Sequence, residues 1–140
     1  MSDLICKNLC MTFSNAQTGV KVEALKDINF TLKKGELLSV LGPSGCGKTT
    51  LLNMIAGFLN PTSGSMTLNS MKIDGPSVER GMVFQQGALF EWLTVAKNVD
   101  FGLRMKKTSQ NESESLVEKW LEIGGLQGFG NTPTYQWSGG

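Results

Sequence analysis

GPSGCGKTT, residues 42–50, stands between ELLSVL, residues 36–41, and LLNMIAGF, residues 51–58. The run before it is almost continuously apolar at Leu37, Leu38, Val40 and Leu41, the pattern of a strand covered on both faces. The run after it places Leu51, Ile55 and Phe58 at i, i+4 and i+7, which predicts a helix over residues 48–58. Gly42, Gly47, Lys48 and Thr49 fit the pattern G-x-x-x-x-G-K-[ST] between that strand and that helix. Glycine lets successive N–H groups turn inward to form an anion nest, and the positive end of the helix dipole adds to it. Pro43, Ser44, Gly45 and Cys46 complete the loop. Lys48 supplies a point charge for β- and γ-phosphates, the Thr49 hydroxyl suits Mg²⁺ bridging them, and Thr50 can donate to an α-phosphate. The stretch therefore predicts a nucleoside triphosphate site with Mg²⁺.

The rest of the composition narrows the setting. The chain has 140 residues, 40% of them hydrophobic, enough for one sizeable core. Its 13 basic and 12 acidic residues are scattered and leave a net charge of +1, so no field points to nucleic acid or to an anionic membrane. The opening MSDLICKNLC lacks the apolar run of a signal peptide, and no segment reaches the ~18 apolar residues of a membrane span. A cytosolic protein is expected. Cys6, Cys10 and Cys46 are odd in number and contain no C-x-x-C pair, against a disulfide framework or a zinc site. Cys46 lies near a helix N-terminus, where a thiol is activated, but it reads better as a small spacer. There is no histidine, so no step within these residues uses one.

Strands are expected at LICKNL (4–9), INFTL (28–32) and ELLSVL (36–41), the last two joined as a hairpin through Lys33-Lys34-Gly35. SMTLN (65–69) and GMVFQ (81–85) read as further strands around an Asp74-Gly75-Pro76 turn. Beyond Gln85 the texture becomes helical. Thr94 can cap a helix with Val95, Val99 and Leu103 on one face. Asn111 with Glu114 resembles a capping box for a second, with Leu116, Trp120 and Ile123 on its face and Gly124-Gly125 as its stop. Trp92 and Trp120 are expected in a core or a groove.

VFQ at residues 83–85 and WSGG at residues 137–140, added to the phosphate loop, resemble the ATP-binding-cassette ATPases, the motor subunits of ABC transporters. The resemblance covers essentially the whole chain. It implies an α/β fold: a P-loop NTPase, RecA-like core with an N-terminal antiparallel β subdomain and the start of an α-helical subdomain, incomplete. The implied division is residues 1–86 for the β subdomain with the partial ATP-binding core, and residues 87–140 for the Q-loop exit and helical subdomain. Gln85 falls at the Q-loop position, implying contact with Mg²⁺ and water. Phe13 falls where an aromatic stacks on adenine, although an ordinary core or edge aromatic remains its alternative. Ser138, Gly139 and Gly140 match a signature, usually L-S-G-G-Q, that touches a partner's ATP; Trp137 replaces its Leu.

The family also implies a working arrangement. Two cassettes dimerise head to tail around ATP, with the signature of each reaching the γ-phosphate bound by the other. Residues 85–103 form the groove for a coupling helix of the membrane permease. The expected partners are a second ATP-binding subunit, permease subunits and, indirectly, a substrate-binding protein, with the chain peripheral on the cytoplasmic face of the membrane. The wording of residues 41–58 and 75–103 is most similar to the importer branch for nitrate, sulfonates and taurine, though Glu91 stands where that branch often has Pro. The residues for a metal-holding Asp, a catalytic Glu and a switch His would follow Gly140. The strand bearing them lies beside the P-loop strand in that family, so the polypeptide alone is expected to be slow in hydrolysis and unstable. A noncatalytic ATP-binding module or a truncated pseudogene product is the alternative reading, and a small-molecule kinase a more distant one.

Overall fold

The computed structural model describes residues 3–84 and 87–136. The chain divides into two compact units, Met1–Met82 and Val83–Gly140.

The first unit is a four-stranded sheet with one helix. β1 (Leu4–Ser14), β2 (Lys21–Leu32), β3 (Ser63–Leu68) and β4 (Met71–Lys72) lie in the order β2-β1-β3-β4, every neighbouring pair antiparallel. Both long strands run further than the apolar pattern predicts, because each contains a bulge. Between Cys6↔Phe30 and Leu9↔Ile28 an additional residue sits on β1, and between Leu9↔Ile28 and Met11↔Leu25 one sits on β2. Asn8 and Asp27, both at φ 46°, absorb them. A further residue stands on β2 between Met11↔Leu25 and Thr12↔Glu23, so the alternation skips once on β1 and twice on β2, and Leu4, Cys6, Leu9, Met11 and Leu25 all reach the core. Asn8 donates its backbone N–H to Asn29 Oδ1 (2.8 Å) and its side-chain amide to Asp27 Oδ1 (2.9 Å), and Asn29 Nδ2 donates to the same carboxylate (2.9 Å). β3 and β4 meet through Asn69 and Ser70, both left-handed, the backbone a two-residue hairpin turn requires.

Helix α1 (Lys48–Ala56) packs Leu51 and Met54 onto the sheet beside Leu9, Met66 and Ile73. It stops two residues short of the predicted end. Gly57, at φ 90°, donates its N–H to Met54 O (3.0 Å), and Phe58 N–H reaches back to Asn53 O (2.9 Å), a Schellman closure. A Cβ on Gly57 would stand 2.1 Å from Gly75 O, so both its φ and its packing require glycine.

Two expected strands are not formed. The turn at residues 33–36 is present, with Glu36 N–H donating to Lys33 O (3.0 Å). Residues 37–41 nevertheless pair with no strand among the described residues, and Leu37 and Leu41 are 92% and 91% exposed. Residues 81–84 carry no strand either, and Val83 is 98% exposed. The reason is cooperative: a strand apolar on both faces is defined by its neighbours, and none of the described strands lies alongside.

The second unit is built on α2 (Val95–Met105) and α3 (Gln110–Ile123), followed by a 3₁₀ turn at Thr134–Gln136. Thr94 caps α2 as predicted, its hydroxyl accepting from Lys97 N–H at 3.3 Å. Helix α3 begins earlier than Asn111, after an Ser109 N-cap that makes no side-chain cap bond, and Glu114 accepts instead from Gln110 Nε2 (3.0 Å). Its buried face is Ser113, Val117 and Leu121, packed with Val95, Val99 and Leu126, not the predicted Leu116, Trp120 and Ile123. Trp120, Ile123 and Trp92 are exposed. Asp100 decides the rotation: it pairs with Arg104 (2.6 Å) and accepts a hydrogen bond from the buried Ser113 hydroxyl, pulling that face of α3 inward.

Candidate nucleotide site

The loop at residues 42–47 leads directly into α1. Gly47, at φ 96°, is the N-cap, and no side chain caps the helix. The first intrahelical bond is Leu51 N–H to Gly47 O (2.9 Å), so the N–H groups of Lys48, Thr49 and Thr50 precede it and belong to the open end of the helix. No acidic residue occupies the first turn. That end is therefore a positive, donor-rich pole with no anion of its own.

Lys48 is turned into the loop. Its ammonium donates to Gly42 O (2.8 Å) and Pro43 O (2.6 Å) and lies 3.6 Å from Cys46 Sγ. Carbonyl acceptors hold the charge where phosphate oxygens, which form stronger charge-assisted bonds, would compete for it. Gly47 is required by space and by its φ of 96°, and Gly45 by its φ of 79° alone. A Cβ on Gly42 would stand 2.7 Å from Cys46 Sγ, and one on Gly47 would stand 2.5 Å from the carbonyl oxygen of Ala24. Gly47 thus lets the loop close onto β2.

This contact brings the hairpin of Phe13 to the loop. Phe13 stands opposite Val22 on the neighbouring strand, two residues before Ala24. Phe13 is 42% exposed, so it lies outside the core of the sheet, as either an adenine platform or an edge aromatic does. Ala24 and Leu25, which back the loop, are absent from the residues predicted for the site. Their only sequence signal is apolar alternation in ALKDINF, and the bulge at Asp27 interrupts it.

Thr49 is exposed and Thr50 half-buried at the helix start. Among the described residues no group of three or more acidic or sulfur side chains is placed to hold a metal ion. Gln85, Ser138, Gly139 and Gly140, predicted to complete the site, lie outside the described residues. The residues present fit a nucleotide: an open helix end, a lysine facing the loop and a loop whose entry to the helix, Gly47, admits only glycine.

The sequence profile of ABC transporters matches residues 25–140. The chain belongs to the ABC transporter family. Its similarity to other ABC proteins extends beyond the profile. The taurine import ATP-binding protein TauB of Pelagibacter ubique is 73% identical over 140 residues, 100% of this chain and 52% of that protein. TauB of Roseobacter denitrificans is 55% identical over the same coverage. The chain spans about half the length of these curated relatives. Among solved structures, a dimeric post-hydrolysis state of the ATP-binding cassette MJ0796, bound to ADP and Pi, superposes with a TM-score of 0.81 at 30% identity, covering 95% of this chain and 62% of that one. A second dimeric structure of MJ0796, a bacterial ABC transporter cassette, gives a TM-score of 0.83 at 31% identity, covering 97% and 63%. The ABC fold is therefore present although two of its expected strands are unpaired here. No helix among the described residues is long and apolar enough to cross a membrane.

Proposed function

We propose that the chain is part of the ATP-binding and ATP-hydrolysing subunit of an ABC importer that takes up taurine or a related sulfonate, with nitrate importers as its neighbouring branch. The observation carrying this reading is the 73% identity, across all 140 residues, to a taurine import ATP-binding protein. The loop geometry supports the nucleotide-binding part of this reading.

In this reading ATP lies with its phosphates against residues 42–50 and its adenine on Phe13. Lys48 would leave the carbonyls of Gly42 and Pro43 for the β- and γ-phosphates, and Thr49 with Gln85 would hold Mg²⁺, which when bound would supply positive charge against the phosphates. Lys48 and Gln85 are the catalytic residues of this stretch. Ser138, Gly139 and Gly140 serve the nucleotide of a second copy. Dimeric MJ0796 structures support a homodimer. The subunit then works on the cytoplasmic face of the membrane against permease subunits supplied by a substrate-binding protein, and the functional division falls at residues 1–86 and 87–140.

The test uses the full-length subunit assembled with its permease. Lys48→Ala is expected to abolish ATP turnover and uptake of labelled taurine while the transporter still assembles. Undiminished turnover would remove Lys48 from the site, and uptake of nitrate in place of taurine would move the protein to the neighbouring branch.

A further inference from the structure

In the second unit, two side chains hold one turn. Leu93 N–H donates to Phe90 O (2.9 Å), closing residues 90–93. Asn98, on α2, accepts from Phe90 N–H (2.8 Å) and donates through Nδ2 to Phe90 O and Thr94 O (3.1 Å each). Thr134 approaches the same turn from a distant part of the chain. Its hydroxyl is 3.0 Å from both Phe90 O and Leu93 O, and its N–H donates to Leu93 O at 3.3 Å. The backbones are joined as well: Thr94 bridges Pro133, Val95 N–H donates to Thr132 O (3.0 Å) and Ala96 N–H to Gly130 O (2.9 Å).

Thr134 is only 5% exposed. With Asn98 it lines a cavity of about 410 Å³ whose other walls include Leu89, Val99, Phe101 and Leu126. In such apolar surroundings a polar contact gains strength, and losing one partner is costly. A hydroxyl carries one proton, so the two equidistant carbonyls share a single donor, and that donor ties both ends of the turn. Thr134 stands four residues before Ser138, and Phe90 five residues after Gln85.

We propose that Thr134 is a positioning residue that latches the turn at residues 90–93 to residues 130–136, so that a push on the turn is delivered to the stretch that leads to the signature. The inference rests on the reading of the chain as an importer ATPase, in which the turn faces the permease and Ser138 faces a partner's nucleotide. The backbone bonds join residues 130–133 to the start of α2, and the Thr134 hydroxyl extends that connection to the turn, where it sets how much of a displacement of the turn is passed on.

The experiment uses the full-length subunit assembled with its permease in lipid nanodiscs, with and without taurine-loaded binding protein. Thr134→Val keeps the shape and removes the hydroxyl; Thr134→Ser keeps the hydroxyl. For Thr134→Val, basal ATP turnover and KM for ATP are expected to stay within about twofold of wild type, while stimulation by the loaded binding protein falls about threefold or more. Thr134→Ser restores the stimulation. Wild-type stimulation in Thr134→Val overturns the latch alone. Equal losses of basal and stimulated turnover, accompanied by a lowered Tm, overturn it in favour of a purely structural threonine. A wild-type transporter without ATP turnover overturns the importer reading and the latch with it.

Discussion

Phe13 illustrates how far one side chain is determined by its position. An aromatic with its ring substantially open to solvent on a strand loses burial energy, and here it does so opposite Val22, on the hairpin against which Gly47 closes. A base stacked on the ring would recover that apolar contact. In the full-length subunit, Phe13→Ala is expected to weaken ATP affinity by roughly 1–3 kcal/mol, as other base–aromatic stacks do, with little change in Tm. Titration with a fluorescent ATP analogue checks it, and unchanged affinity with a lowered Tm would make Phe13 a packing residue. Cys6 and Cys46 show the same dependence on place. Burial pushes the Cys6 thiol up to about 11, making it an inert core group, whereas Cys46 is exposed on the phosphate loop.

At the scale of elements, local signals were readable and pairings were not. The cap at Thr94, the loop before Lys48 and the glycine stop of α3 are each encoded within a few residues, and the sequence predicts them, whereas the stop of α1 at Gly57 lies inside the apolar period and is passed over. The extent of β1 and β2 escapes it because bulges at Asn8 and Asp27 break the period of two that identifies a strand. The face of α3 escapes it because Trp120 and Ile123 outweigh Ser113 in hydrophobicity, while Asp100 on the neighbouring helix rewards the serine. The strands expected at residues 36–41 and 81–85 rest on short apolar runs, but strand formation needs a partner. The loop and the helix that follows it are legible in the sequence; the backing of the loop by Ala24 is not, since a contact across the fold leaves no local pattern.

The bulge cluster also carries a pH signature. Hydrogen bonds from Asn8 and Asn29 hold the Asp27 carboxyl below its ordinary pKa. A carboxylate with a depressed folded pKa contributes stability that is fully present above its unfolded pKa of about 4 and is lost as pH falls through the folded value. The stability advantage of the wild-type full-length protein over Asp27→Asn should therefore be constant near neutrality and shrink on acidification below about pH 4. Urea melts of both proteins across that range check it; a difference independent of pH would mean that the ionised form is not what the cluster holds.

For the whole molecule, the uneven placement of apolar surface dominates. One core is closed by the antiparallel sheet and α1, and another by α2 and α3, yet Leu37, Leu41 and Val83 are almost wholly exposed. Apolar surface of this kind, next to unpaired backbone, favours association. A polypeptide of these 140 residues is expected to bind the dye ANS and to associate with rising concentration, while the full-length subunit does neither. Sedimentation and dye fluorescence compare them, and a monodisperse, dye-silent 140-residue chain would mean that these side chains find cover within it.

The closure of α1 at Gly57 bears on the order of events during synthesis. Its two reverse bonds span only residues 53–58, so the helix behind the phosphate loop can be delimited as soon as those residues leave the ribosome. At translation rates of roughly 5–20 residues per second, a distant strand arrives seconds later than a local stop signal. The end of the helix is thus specified early, while the helix itself waits for Leu9, Met66 and Ile73 to cover Leu51 and Met54.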